Sequence, residues 1–362
     1  MARHTKLLLL VLLCLWAAAM AWVPRVDYAW TARLTDYRHH PLAGIARRTL
    51  FQGQPPGATD VPALLALAAG ALYLRAHAAG ASRRLLAARP VLGFLLTAAL
   101  MAGWAVVHAL KLVLGRARPL DVLSRHHLPY TEWYRTGSLH LTAGPYRGSF
   151  PSGHTAAVFA TVAFAYALAF DPAAGRRPRA AGAAAAVLAL AGAGVMTVAN
   201  AMGGNHWLSD GLGAIGLVWL VVHLLYFRIL EVPGQRRLVR AALARGEGAP
   251  LPRFWEARLC GSGLLVVLGV TLALLGVRAF AEQRPPTLAW LLAPGAGLLA
   301  LGLPRALALL RKIHGTLAAG RHSPPTSTAA PAAAASSGAA PTGQSAAASE
   351  PATRSSATPT GP

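Results

Sequence analysis

Eight apolar runs organise the chain, at residues 6–23, 61–74, 91–114, 156–170, 180–198, 211–227, 259–277 and 288–303, with basic segments between them. Each comes within reach of the ~20 residues an α-helix needs to cross a hydrocarbon core, so the pattern predicts an all-α, polytopic membrane helical bundle. The first run follows Arg3 and Lys6 and carries small residues over 17–21, which fits an anchor helix or a secretory signal. The membranous character of everything after it favours the anchor. Residues 24–60 mix five arginines, the pair His39-His40 and a Pro- and Gly-bearing turn at 54–57, and read as an interfacial helix and a loop. From about His322 onward Ala, Pro, Ser, Thr and Gly dominate, a composition that cannot bury a core and reads as a disordered cytoplasmic tail. The chain thus divides into an anchor with an interfacial segment (1–60), a transmembrane core (61–230), a basic loop with two further spans (231–320) and the tail (321–362).

Composition agrees with a bilayer protein: 55% of residues are hydrophobic, 13% are charged, and the mean hydropathy is +0.45. Lys and Arg outnumber Asp and Glu by 34 to 12. These cations lie between apolar runs rather than in one block, and no zinc finger or base-stacking motif accompanies them, so they point to membrane topology and not to nucleic acid. With the N-terminus in the cytoplasm, 21 of the 34 fall on the inner side. Six of the rest lie between Lys111 and Arg147, where chemistry is an alternative reason for them. Cys14 and Cys260 sit inside apolar runs and indicate neither a disulfide framework nor a zinc site.

In this topology three polar clusters reach one membrane face. The third span ends with Lys111 and, with six residues between, Arg118-Pro119. The fourth begins with Pro151-Ser152-Gly153-His154, where Ser152 suits a helix cap and Gly153 lets an anion approach the backbone. The sixth begins with His206 and Asp210, an i, i+4 pair on one helix face that lets the carboxylate orient the imidazole. Taken singly, these are snorkelling cations, a plain cap and a surface pair. Taken together, they are the inventory for phosphoryl transfer through a phosphohistidine. His206 is the expected nucleophile, His154 the acid and then the base, and Lys111, Arg118, Ser152 and Gly153 the phosphate holders. His108 reads as a buried, hydrogen-bonded residue one turn before Lys111, and His223 as structural. His126, His127, His140 and Asp121 lack ligand spacing, and Tyr130, Trp133 and Tyr134 read as interfacial anchors.

The order and spacing of these clusters resemble the three-part signature of the type-2 phosphatidic acid phosphatase superfamily, relatives of the vanadium haloperoxidases. The resemblance covers roughly residues 100–227. It implies a six-helix core, with two extra C-terminal helices outside it, and a metal-independent phosphatase of lipid phosphates or diphosphates that needs no cofactor. Asn205-His206-Trp207-Leu208-Ser209-Asp210 is similar to the third motif of bacterial members acting on lipid A or undecaprenyl diphosphate, which implies an inner-membrane protein with a periplasmic site. One position departs. The family has Ser-Arg where this chain has Ala199-Asn200, and loss of a charge-assisted phosphate contact removes a few kcal/mol of transition-state stabilisation. Asn200 can still donate a hydrogen bond to phosphate but brings no charge; either a neighbouring cation such as Arg116 or Arg147 substitutes, or activity is weak, altered or absent. Three readings stay open: hydrolysis, transfer of the phosphoryl group to a second lipid, and a non-catalytic lipid-phosphate binder. Protein partners are not indicated.

Overall fold

A computed structural model describes residues 3–46, 48, 57, 59–125, 127–137, 148–282 and 286–322. The expected tail, the turn residues 54–56, and His126, His140 and Arg147 lie outside the described residues. The described chain is helical: α1 (Arg3–Trp22), α2 (Asp27–Thr35), α3 (Pro41–Ile45), α4 (Asp60–His77), α5 (Arg83–Leu100), α6 (Val106–Leu114), α7 (Gly153–Phe159), α8 (Val162–Ala169), α9 (Arg176–Met202), α10 (Leu208–Leu224), α11 (Val232–Ala244), α12 (Trp255–Ala281) and α13 (Leu292–His322). Five stretches are long and apolar enough to cross a membrane: 83–114, 176–202, 208–229, 255–281 and 287–320. A sixth is added if α1 and α2, bent by 70° against each other, count as one. The chain is therefore a multi-pass, all-α membrane protein, with fewer full-length spans than the eight apolar runs predict. The shortfall has physical causes. The run at 61–74 lies in an 18-residue helix whose ends carry Asp60, Arg75 and His77. The run at 156–170 lies in a 17-residue helix, Gly153–Ala169, which at 1.5 Å per residue is roughly 26 Å long, short of the ~30 Å core.

Leucine and valine outside, alanine and glycine inside is the rule of packing here. Val187, Leu188 and Leu190 of α9 and Leu64, Leu67 and Leu74 of α4 face outward, where lipid takes them up. Ala98, Ala102, Ala156, Ala193 and Ala214 fill the contacts between helices and let the backbones approach closely. Gly216 of α10 is one such place, where an added Cβ would run into the Trp16 ring. Trp16 in turn donates its indole N–H to Leu212 O at 3.0 Å, so α1 is fixed to α10 by a ring in a glycine notch. Gly216→Ala is expected to destabilise the protein by about 1–3 kcal/mol, read as a lower unfolding temperature in detergent, and Trp16→Ala on the same background is expected to relieve most of the added strain.

The two ends of the bundle differ. At one end, α11 is held by Arg236 and Arg240, which both grip Asp171, at 2.5 and 2.8 Å to Oδ2. At the other end, α6 stops at Gly115, whose left-handed φ of 59° closes the helix onto Lys111 O and turns the following arginines inward. The polar clusters named above gather at this second end.

Candidate active site

The starts of α7 and α10 and the end of α6 meet here. Ser152 caps α7, its Oγ accepting from Thr155 N at 3.4 Å, and its own N–H donates to Asp210 O at 3.0 Å. This pair of bonds locks the His154 helix to the His206 helix, and Ser152 is fully buried in doing so. The His154 and His206 rings are 6.3 Å apart, centroid to centroid, at 70°. A phosphorus atom fits between two imidazoles at that separation. Gly153 leaves room beside them: the point where a Cβ would sit is 3.7 Å from Lys111 Nζ and 3.7 Å from His108 Nε2. His108 is hydrogen-bonded as expected, through Nδ1 to Trp104 O at 2.8 Å, but is only half-buried, and its other nitrogen lies beside the Gly153 position.

His206 stands in the short segment between α9 and α10. Its Nδ1 lies 3.3 Å from Asp210 Oδ2, which places the proton on Nδ1 and leaves the Nε2 lone pair for attack. Burial, and after it the positive charge of Lys111, lowers the imidazole pKa to about 3, against the opposing pull of Asp210. The ring is therefore neutral, and nucleophilic, across the physiological range. A group with a lowered pKa keeps its base form until the pH falls through that value. Because kcat/KM reports the free enzyme, no loss of activity from protonation of His206 is expected between pH 7 and 5. A profile that rises with pH through the ordinary histidine range, and moves on Asp210→Asn, would contradict this.

Asp210 holds more than His206. It accepts from Trp207 N at 2.8 Å, from Ser149 Oγ, and from Arg116 Nη1 at 2.7 Å. Arg116 is itself buried and bridges to Asp27 Oδ2 at 2.8 Å, to Ser209 Oγ at 2.6 Å and to Thr131 O at 2.7 Å. Asp27 closes the network by accepting from Ser209 N and Ser209 Oγ. A buried guanidinium between two carboxylates, stacked near Trp207 and Tyr130 at 5.3 and 5.5 Å, is a rigid backing for Asp210 and hence for His206. Arg116 consequently is not free to stand in for the missing arginine of the third motif, because its donors are taken up by Thr131, Ser209, Asp210, Asp27 and Tyr130.

Among the other predicted site residues, Lys111 is buried, and Lys111 and Arg118 lie close enough to both histidines to act on them electrostatically. Asn200 is placed differently from a phosphate ligand. Its side chain is fully buried and Nδ2 donates back to Met196 O at 2.9 Å, while its backbone carbonyl accepts from Asn205 N and His206 N. Asn200 thus shapes the His206 segment with its main chain. Tyr130 and Trp133 are also more than surface anchors: Tyr130 packs edge-on against Trp207, and Trp133 donates to Met20 O at 2.8 Å. Tyr134 is exposed. His223 shares a hydrogen bond with Tyr166 at 3.3 Å, away from the site.

Asp27 and Ser149 were not legible as site residues. Asp27 sits 89 residues before Arg116, in a segment that reads as interfacial, and a lone acid beside aromatic residues was its only signal. Residues 91–231 match the family model described as the PAP2 superfamily, and they include every site residue named above except Asp27. No curated protein and no solved structure matches the chain.

Proposed function

Residues 91–231 of this chain belong to the PAP2 superfamily, and on that premise we propose that the protein hydrolyses a lipid phosphate or diphosphate through a phosphohistidine on His206. The observation that carries the reading is His206, held by Asp210 and facing His154 across 6.3 Å, with Lys111 beside Gly153. Nε2 of His206 attacks phosphorus, the bond from phosphorus to the leaving oxygen breaks, and His154 gives that oxygen a proton. His154 then takes a proton from water as the water oxygen attacks phosphorus, the phosphorus–nitrogen bond breaks, and phosphate leaves. Lys111 and Arg118 balance the charge on the equatorial oxygens in both steps. All atoms of the cycle come from the lipid, water and these side chains.

A lipid substrate is supported by an apolar cavity of about 430 Å³ between α4, the α5–α6 helix and α7–α8, lined in part by Ala63, Leu95, Trp104, Ala157 and Phe164. Ala157 is one turn beyond His154, so a chain lying in the cavity has its headgroup at the histidines. Ala157→Trp is expected to reduce kcat/KM for a long-chain lipid phosphate by about 10-fold or more while sparing a short water-soluble phosphate ester. Equal loss on both would remove the cavity from the reading. In this reading the site faces the periplasm of a bacterial inner membrane and α1 is a retained anchor, for which its packing on α10 is the support.

The deciding experiment is phosphate release by the purified chain from undecaprenyl diphosphate, phosphatidic acid, phosphatidylglycerol phosphate and lipid A, each with EDTA present. EDTA-resistant release from at least one is the expected result. Silence on all four, or appearance of the phosphoryl group on a second lipid instead of in water, overturns hydrolysis.

A further inference from the structure

We propose that the two C-terminal helices, which lie outside the 91–231 match, bind an anionic phospholipid at the membrane face opposite the histidines. A cavity of about 600 Å³ opens between α12 and α13, lined by Arg258, Ser262 and Leu265 from one and by Arg305, Leu309 and Lys312 from the other. On each helix the three residues fall at i, i+4 and i+7, a single face, so the two faces converge by design of the sequence rather than through scattered surface charge.

The groove brings three cations together without a counter-charge. α13 contains no Asp or Glu, and the one carboxylate in α12, Glu256, is buried and accepts from Tyr73 OH at 3.0 Å. Among the described residues no carboxylate pairs with Arg258, Arg305 or Lys312, and Arg305 makes only a bond to Leu301 O of its own helix. Elsewhere the exposed basic end of the bundle is neutralised where cations converge, as at Asp171 between Arg236 and Arg240. Cations at a membrane edge snorkel singly at little cost. Three sharing one groove repel each other until an anion enters.

Position selects the anion. Near its other end α12 carries Arg278, which donates to Val113 O and to Gly137 O at 2.6 Å, beside the Lys111 turn. Arg258 is twenty residues away along the same helix, roughly 30 Å, or one bilayer core. The groove therefore opens at headgroup depth on the opposite leaflet, with Leu309 between Arg305 and Lys312 and Leu265, one turn deeper than Ser262, as the apolar wall below the cations. That combination matches a phospholipid, phosphate among the cations and an acyl chain running down past Leu265, and offers a free phosphate ion nothing for the apolar part of the groove.

The test is native mass spectrometry of the delipidated full chain in detergent, titrated with phosphatidylglycerol, phosphatidylcholine or inorganic phosphate. Wild type is expected to retain one phosphatidylglycerol at least about tenfold better than phosphatidylcholine. R258Q/R305Q/K312Q and, separately, the groove-filling Leu309→Trp are expected to abolish that preference, whereas R75Q/R83Q/R84Q, which removes the same charge from another part of the same face, leaves it. Equal loss in the two triple variants would mean general surface charge and overturn the site, as would displacement of the lipid by millimolar inorganic phosphate. Retention in Leu309→Trp together with R258Q/R305Q/K312Q would do so as well.

Discussion

His206→Ala is expected to lower lipid phosphate release by on the order of 10⁴-fold or more while leaving the protein folded and its substrate affinity nearly unchanged. The reason lies in how the load is divided. His206 makes one side-chain hydrogen bond, to Asp210, and Asp210 keeps Trp207 N, Ser149 and Arg116 when the imidazole is gone. The fold therefore loses little. Lys111 and Arg118 still attract the headgroup, so KM has little reason to move. What disappears, in the proposed reading, is the nitrogen that attacks phosphorus, its ring held from behind by Asp210, and water cannot replace a covalent intermediate. His154→Ala differs in kind, because a substrate whose leaving group needs no proton escapes part of the loss. Phosphate assays on a lipid phosphate and on an activated aryl phosphate separate the two: similar collapse on both for His206→Ala, and a smaller defect on the aryl ester for His154→Ala.

Arg116→Met is expected to cost about 3–5 kcal/mol of stability and to take activity down with it. The guanidinium sits between Asp27 and Asp210 with side-chain exposures of 1% or less on all three, so its removal leaves two buried carboxylates facing each other without a cation. Hydrogen bonds from Ser209 and Ser149 remain, and they are too few to replace the charge. Adding Asp27→Asn to Arg116→Met removes one of the stranded anions and is expected to recover part of the stability, while Arg116→Lys, with one point charge in place of a two-armed donor, falls between wild type and Arg116→Met. Unfolding temperatures of the detergent-purified variants measure this directly. A loss in Arg116→Met no larger than that of an ordinary surface substitution would contradict the network as described.

The contrast between these two residues shows what a sequence makes legible. His206 and Asp210 are four residues apart at a helix start, and Lys111 and Arg118 flank one helix end, so local spacing alone puts each group on a face, and span topology puts the faces together. Ser152 could be read as a cap for the same reason. Arg116 could not be read, because it lies between two phosphate-binding candidates and resembles them chemically, and only the left-handed turn at Gly115 and the position of Asp27 send it behind the site. Asn200 was legible as a departure but not as a main-chain support for His206, since backbone acceptance carries no side-chain signature. The apolar runs gave the helices but overstated the full crossings, because a run says nothing of where a helix starts to carry charge or how far it extends.

Everything in the catalytic reading passes through one covalent bond, between phosphorus and His206. A single turnover with a lipid labelled in its terminal phosphate, quenched rapidly in alkali, is expected to trap label on the protein in an acid-labile, alkali-stable form that maps to His206 and is absent in His206→Ala. It is expected to build up further in His154→Ala given the activated ester, where attack proceeds and water is no longer activated. Label absent from the wild-type protein during demonstrable turnover, or found on another residue, would contradict the phosphohistidine and leave direct attack by water in its place.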